Sequence, residues 1–190
     1  SVRIVYDITF ENYGSAIEIV DIGLPNDDYN INNMSASING VSLSDIRPSE
    51  YIDVGVEIHL YDQAIPRGER GTLHFEATMP PMVYEDTTDR SYASLQLTPT
   101  WFDDDLVVGT GDIDVAIHLP PGVEPEEARF QDEPFTAKTV FEGRTVVVWQ
   151  WEDVRITKPY PVGVSFPKDA VTNVIEMSFL DLVREWMADN

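Results

Sequence analysis

The sequence is dominated by short runs in which apolar and polar residues alternate. Every second residue is apolar in residues 2–10, and residues 113–119 repeat the pattern. A period of two places one face of a strand in a core and the other in solvent. The predicted strands are residues 2–10, 16–24, 34–38, 41–43, 51–61, 73–77, 91–97, 113–119, 128–130, 145–151, 160–166 and 171–177. The pattern therefore predicts an all-β chain.

One pair of these runs carries a strong turn signal. Asn39 and Gly40 lie alone between two alternating segments. Both residue types accept positive φ, which the two central positions of a tight hairpin turn require. We expect a two-residue β-hairpin at this point.

The spacing of the runs also predicts the architecture. Closely spaced strands without intervening helices favour antiparallel packing. We expect two immunoglobulin-like β-sandwiches, or one extended sandwich, with residues 1–98 as the first and 99–177 as the second. Residues 178–190 change period, and Ser178 is a suitable cap for a short amphipathic C-terminal helix.

Charge limits the classes of partner. The chain has 34 acidic and 12 basic side chains, for a net charge of -22. A polyanion such as nucleic acid would be repelled, and direct docking on an anionic lipid surface is disfavoured for the same reason. Cations, basic proteins and neutral ligands remain as candidate partners.

The densest group of acids lies between two predicted strands. Asp103, Asp104 and Asp105 are followed by Asp112 and Asp114, with two glycines between the groups. Clustered carboxylates on a loop can supply the six to eight oxygens that calcium takes. These five residues are therefore candidate calcium ligands, and a solvated acidic turn is the alternative explanation.

Two aromatic residues stand directly before this cluster. Exposed aromatic side chains stack on sugars or anchor protein partners, which makes Trp101 and Phe102 candidate partner-binding residues. Packing in the core is the alternative for both. Farther along the chain, Trp149 and Trp151 share the parity of Val147, so one buried face is expected to contain all three.

Catalytic signatures are absent from the sequence. Cysteine does not occur, and the three histidines stand singly in predicted strands. Neither a nucleophile elbow nor a phosphate-binding glycine loop occurs. We expect a noncatalytic protein without a resident cofactor, calcium being the one candidate.

Three short motifs carry a resemblance to a known group. Ile22 to Pro25, Ile65 to Glu69 and Val164 to Lys168, in this strand order, resemble the β-sandwich ectodomains of bacterial and archaeal membrane proteins. The resemblance implies an extracytoplasmic domain, anchored in a membrane only through segments outside this chain. It implies no catalytic residues.

The expected function is that of a cell-surface ectodomain that mediates protein or glycan interaction. Two alternatives stay open. The chain is an accessory β-domain of a secreted hydrolase, or it is a calcium-stabilised adhesive module.

Overall fold

The computed structural model describes residues 1–176 and divides the chain into two compact units. The first is Ser1–Pro80, and the second begins at Pro81. Strands and isolated bridges make up 48% of the described residues, and no helix among them reaches seven residues. The all-β prediction is confirmed. The expected C-terminal helix at 178–190 lies outside the described residues.

The first unit contains seven strands in two antiparallel sheets. They are β1 (Val2–Glu11), β2 (Ile19–Gly23), β3 (Met34–Ile38), β4 (Val41–Leu43), β5 (Ile46–Pro48), β6 (Gly55–His59) and β7 (Arg70–Met79). One sheet has the order β1-β7-β3-β4, and the other has the order β2-β6-β5. Alternate residues of both sheets are fully buried, for example Ile38 and Phe75 in the first sheet and Ile22 and Ile58 in the second.

The described part of the second unit, residues 81–176, also contains seven strands. They are β8 (Tyr84–Glu85), β9 (Tyr92–Leu97), β10 (Gly111–His118), β11 (Arg129–Gln131), β12 (Ala137–Phe141), β13 (Arg144–Val154) and β14 (Val162–Pro167). They form the sheets β11-β14-β9-β8 and β10-β13-β12. Val147 and Trp149 are fully buried, while Trp151 is half-buried and packs on Tyr160 at 5.1 Å between ring centroids.

The hairpin between β3 and β4 forms as expected. Asn39 and Gly40 have φ values of 49° and 82°, and Ile38 pairs with Val41 across the turn. The turn conformation follows from the residues, because asparagine and glycine tolerate positive φ better than other residues.

Four elements differ from the sequence prediction. β5, β8 and β12 were not predicted, and residues 171–176 form only one isolated bridge, between Ile175 and Tyr84. A 3-10 turn at Lys168–Ala170 ends β14 and interrupts the strand pattern before that bridge. The alternation of apolar and polar residues therefore failed in both directions. It missed strands that pair, and it predicted a strand at 171–177 where only a single bridge is described.

The position of the unit boundary also differs. We expected a boundary near residue 98, whereas the chain divides between Pro80 and Pro81. β9 pairs along its length with β14, so Tyr92–Leu97 belongs to a sheet of the second unit.

Among the described residues no helix is long and apolar enough to cross a membrane.

Candidate functional site

The loop at 98–110 connects the two sheets of the second unit, running from β9 to β10. Phe102 is half-buried, and its backbone N–H donates to the carbonyl of Ile156 at 3.3 Å. Asp103 then organises a tight turn, because its Oδ1 accepts from the N–H of Asp105 at 2.8 Å and its carbonyl accepts from Val107 at 3.0 Å. Phe102 and Asp103 thus fix the loop backbone.

Three apolar side chains project from this loop into solvent. Trp101 is 50% exposed, Leu106 is 84% exposed and Val108 is 80% exposed. We call these three residues, together with Asp103, Asp104 and Asp105, the β9–β10 loop surface. Three exposed apolar side chains within eight residues of one loop make this loop a candidate interaction site.

The structure brings together three of the five candidate calcium ligands. Carboxylate oxygens of Asp103, Asp104 and Asp105 lie within 4.8 Å of one another, and all three residues are exposed. Asp112 and Asp114 instead lie on β10, where they accept hydrogen bonds from the N–H of Asp153 at 2.9 Å and from Nε2 of Gln150 at 2.7 Å. With one oxygen from each carboxylate, the triplet supplies three of the six to eight oxygens that calcium takes.

The structure separates the two aromatic candidates. Trp101 is half exposed, while Phe102 is half-buried and its backbone is hydrogen-bonded to Ile156. Trp101 therefore remains a candidate partner-binding residue, whereas Phe102 helps to hold the loop in position.

A polar cluster in the first unit was not expected from the sequence. The Asp45 carboxylate accepts hydrogen bonds from Nε and Nη2 of Arg47, at 2.7 and 2.5 Å. It also accepts a hydrogen bond from the hydroxyl of Tyr61. On the neighbouring strand, Nε2 of His59 lies 2.7 Å from Oε1 of Glu57, which is only 6% exposed. The rings of His59 and Tyr61 stack at 5.6 Å.

The electrostatics of this cluster follow from these pairs. The Arg47 guanidinium, helped by the Tyr61 hydroxyl, lowers the pKa of Asp45 to about 2. His59 is the main cause that lowers the pKa of Glu57, against the opposing effect of burial. Asp45 and Arg47 therefore form an ion pair beside the hydrogen-bonded Glu57 and His59. The alternation of Glu57 and His59 on one strand face was the only sequence signal for this arrangement.

A second buried network lies in the second unit. Oδ2 of Asp86 accepts from Oγ of Ser165 at 2.5 Å, and Oδ1 accepts from the N–H and hydroxyl of Thr88 and from the N–H of Asp89. Gln131 donates to the same Ser165 oxygen at 2.6 Å. This carboxylate ties the loop after β8 to β14.

Comparison of the chain with protein-family models, with curated proteins and with solved structures finds no match. The functional argument therefore depends on the residues and geometry described above.

Proposed function

We propose that this chain is a noncatalytic recognition module that binds a protein partner at a cell surface through the β9–β10 loop surface. The observation that carries the proposal is the exposure of Trp101, Leu106 and Val108 on one loop with an ordered backbone. Binding a partner would remove these apolar side chains from water, which is the main favourable contribution in protein association.

The architecture of the proposal is a pair of immunoglobulin-like β-sandwiches. Its support is that each unit has one four-stranded and one three-stranded antiparallel sheet, each with buried side chains. Seven-stranded sandwiches of this kind place their connecting loops at the two ends, where recognition occurs without disturbing the core.

The chemistry of the loop favours a protein over a glycan. Sugars stack on flat aromatic rings, whereas Leu106 and Val108 are aliphatic and more exposed than Trp101. The three neighbouring aspartates favour a partner surface with basic groups around an apolar pocket. We therefore propose a basic, apolar protein segment as the ligand.

The proposed location is extracytoplasmic, with anchoring through a segment outside this chain. Support comes from the resemblance of the three short motifs to membrane-protein ectodomains and from the high negative charge, which disfavours nucleic acid.

A displayed library of random peptides and an array of defined oligosaccharides would test the proposed ligand class. The parent chain is expected to enrich peptides that combine basic and apolar residues, and Trp101→Ala is expected to lose that enrichment. Tyr51→Ala is the matched control, since Tyr51 is 84% exposed but lies outside the loop. Melting curves should be similar for all three proteins, because neither aromatic side chain is buried.

Three results would contradict the proposal. One is the same peptide enrichment with Trp101→Ala as with the parent chain. Another is binding only to oligosaccharides, which would assign the loop to glycan recognition. A third is a loss of stability in Trp101→Ala of about 3–5 kcal/mol, the size expected for a buried tryptophan.

The aspartate triplet supports a second candidate function, a calcium-stabilised adhesive module. The supporting observation is that three carboxylates lie within 4.8 Å of one another on one turn. A cation that binds only the folded state raises the melting temperature. Melting in millimolar calcium should then exceed melting in chelator for the parent chain but not for Asp104→Asn, and equal melting temperatures would reject this candidate.

A further inference from the structure

β1 is an edge strand of unusual length in this chain. It spans ten residues, Val2–Glu11, and β7 is the only described strand that pairs with it. The free side of an edge strand presents backbone N–H and C=O groups to solvent, and these groups can pair with another strand.

The direction of each backbone group in β1 follows from the hydrogen bonds at its end. The N–H of Asn12 donates to the carbonyl of Glu69 at 3.0 Å, so Asn12 points toward the β7 side. The direction of the backbone N–H and C=O groups alternates along a strand. The N–H and C=O groups of the even-numbered residues of β1 therefore point toward β7. The outward backbone groups are those of Arg3, Val5, Asp7, Thr9 and Glu11.

The other side of β7 gives an independent check on this assignment. Asn39 donates to the carbonyl of Thr72 at 2.9 Å, so even-numbered residues of β7 point toward β3. Odd-numbered residues of β7 then point toward β1, and they are the ones that pair with even-numbered residues of β1, such as Phe75 with Tyr6.

The apolar face of β1 is incompletely covered. Ile4 is buried, but Val2, Tyr6 and Ile8 are only half-buried, while Phe75 on the adjacent strand is fully buried. On the opposite face Val5 is 41% exposed. A strand added beside β1 would cover apolar side chains on both faces.

The edge strands β10 and β12 of the second unit lack this combination. On β10 the inward residues Val115 and Ile117 are already buried. On β12 the Lys138 ammonium reaches the carbonyls of Pro125 and Ala128. A lysine side chain on an edge strand opposes the addition of another strand.

We propose that β1 pairs antiparallel with β1 of a second copy of this chain, around a twofold axis at Val5. This register places Val5 opposite Val5 of the second copy and Arg3 opposite Asp7 of the second copy, twice by symmetry. On the apolar face, Ile4 meets Tyr6. A twofold axis makes the same surface serve both copies.

Charge complementarity selects this partner and this register. Arg3 and Asp7 have side chains that are 65% and 68% exposed, so both are accessible to a second copy. Opposite charges and β-branched residues directly across two strands stabilise the pairing, whereas like charges destabilise it. A register centred on Asp7 would place two aspartates opposite each other and is therefore disfavoured.

Sedimentation velocity of the 190-residue chain tests the proposal. We expect a monomer and dimer equilibrium whose dimer fraction increases with protein concentration. Two copies of net charge -22 repel each other, so sodium chloride should increase the dimer fraction by screening that repulsion.

Val5→Pro tests the strand pairing itself. Proline removes the outward N–H of residue 5 from both copies without removing a bond to β7, and edge strands tolerate proline at such positions. Loss of two hydrogen bonds should raise the dimer Kd by about 30-fold. Val5→Thr keeps the N–H and the β-branched shape, and its Kd should stay near that of the parent chain.

Charge reversal tests the register without proline. Arg3→Asp and Asp7→Arg should each weaken the dimer, and the double variant should restore it. The restoration cannot come from contacts within one chain, because the double variant still lacks the native pairs of Arg3 with Glu76 and of Asp7 with His74. In the parent chain, the amides of Val5 and Asp7 should gain protection from hydrogen exchange as concentration rises.

Three results would overturn the proposal. A chain that stays monomeric at high concentration and high salt would leave β1 to a strand of another protein. A dimer that Val5→Pro leaves intact would use another surface. Failure of the double charge reversal to restore the dimer would reject the register.

Discussion

At the scale of single residues, Asp86 shows how burial and hydrogen bonding compete. The residue is 7% exposed, and burial alone raises the pKa of its carboxyl. Hydrogen bonds from Ser165, Thr88 and Asp89 favour the charged form and outweigh burial, so the pKa falls from 3.8 to about 2. Folding therefore favours the ionised carboxylate.

We predict that Asp86→Asn destabilises the second unit by about 2 kcal/mol at neutral pH. This is the free energy that corresponds to the lowering of the Asp86 pKa on folding. A carboxyl with a lowered pKa contributes stability above its unfolded pKa and loses it as the pH falls through the folded value. Urea unfolding should show the difference from the parent chain shrinking between about pH 4 and about pH 2. Asp104→Asn, on the exposed turn, is the control and should unfold like the parent at neutral pH.

Folding shifts the pKa of His74 upward, in the opposite direction to that of Asp86. Its Nδ1 lies 2.8 Å from Asp7 and its Nε2 lies 3.1 Å from Glu76, and these two carboxylates raise the pKa of the imidazole. The protonated ring therefore contributes stability below pH 6.5, and that contribution disappears as the pH rises through the raised pKa.

We predict that Asp7→Asn lowers the pKa of His74, because Asp7 is the larger of the two causes. A proton NMR titration of the imidazole would measure the change, and Asp104→Asn would serve as the distant control. An unchanged His74 titration in Asp7→Asn would show that the pair seen here does not persist in solution.

Tryptophan burial shows what the sequence could predict at this scale. The shared parity of Val147, Trp149 and Trp151 predicted one buried face containing all three, and Val147 and Trp149 are fully buried while Trp151 is only half-buried. Trp101 lies in a loop, where no period relates a residue to a face. Its exposure depends on how Phe102 and Asp103 fix the loop backbone. One of these contacts joins Phe102 to Ile156, which is distant in the sequence, so the residues around Trp101 alone did not predict the exposure.

At the scale of elements, two hairpins share one turn geometry but only one was predictable. Asn39 and Gly40 join β3 to β4, and Glu142 and Gly143 join β12 to β13 with φ values of 49° and 73°. Glutamate is not a typical residue for the first position of this turn. All five residues of β12 are exposed, so no buried face marked it as a strand.

We predict that Glu142→Asn stabilises the second unit by about 0.5–1 kcal/mol, because asparagine tolerates the left-handed conformation better than glutamate does. Thermal unfolding would measure the gain. Glu142→Gln removes the charge without this backbone preference and should melt like the parent chain. An equal gain from both variants would assign the effect to charge rather than to the turn.

At the scale of the whole chain, strand pairing determines where the units divide. β9 begins 12 residues after the end of the first unit, yet its partner β14 lies about 70 residues later in the sequence. Alternation identifies a strand but not its partner, so the sequence predicted β9 correctly and assigned it to the wrong side of the boundary. The cluster of Asp45, Glu57 and Tyr61 was unpredictable for the same reason, since pairing of β5 with β6 brings it together.

We predict that residues 1–80 fold without the rest of the chain, because both sheets of the first unit are complete within them. Residues 1–98 add β8 and β9 but lack β14, so Ala93 and Leu95, buried in the full chain, would lose their cover. Urea unfolding should give both fragments the same cooperative transition. Amide exchange should show 92–97 unprotected in the longer fragment, and a cooperative transition found only with residues 1–98 would place the boundary after β9.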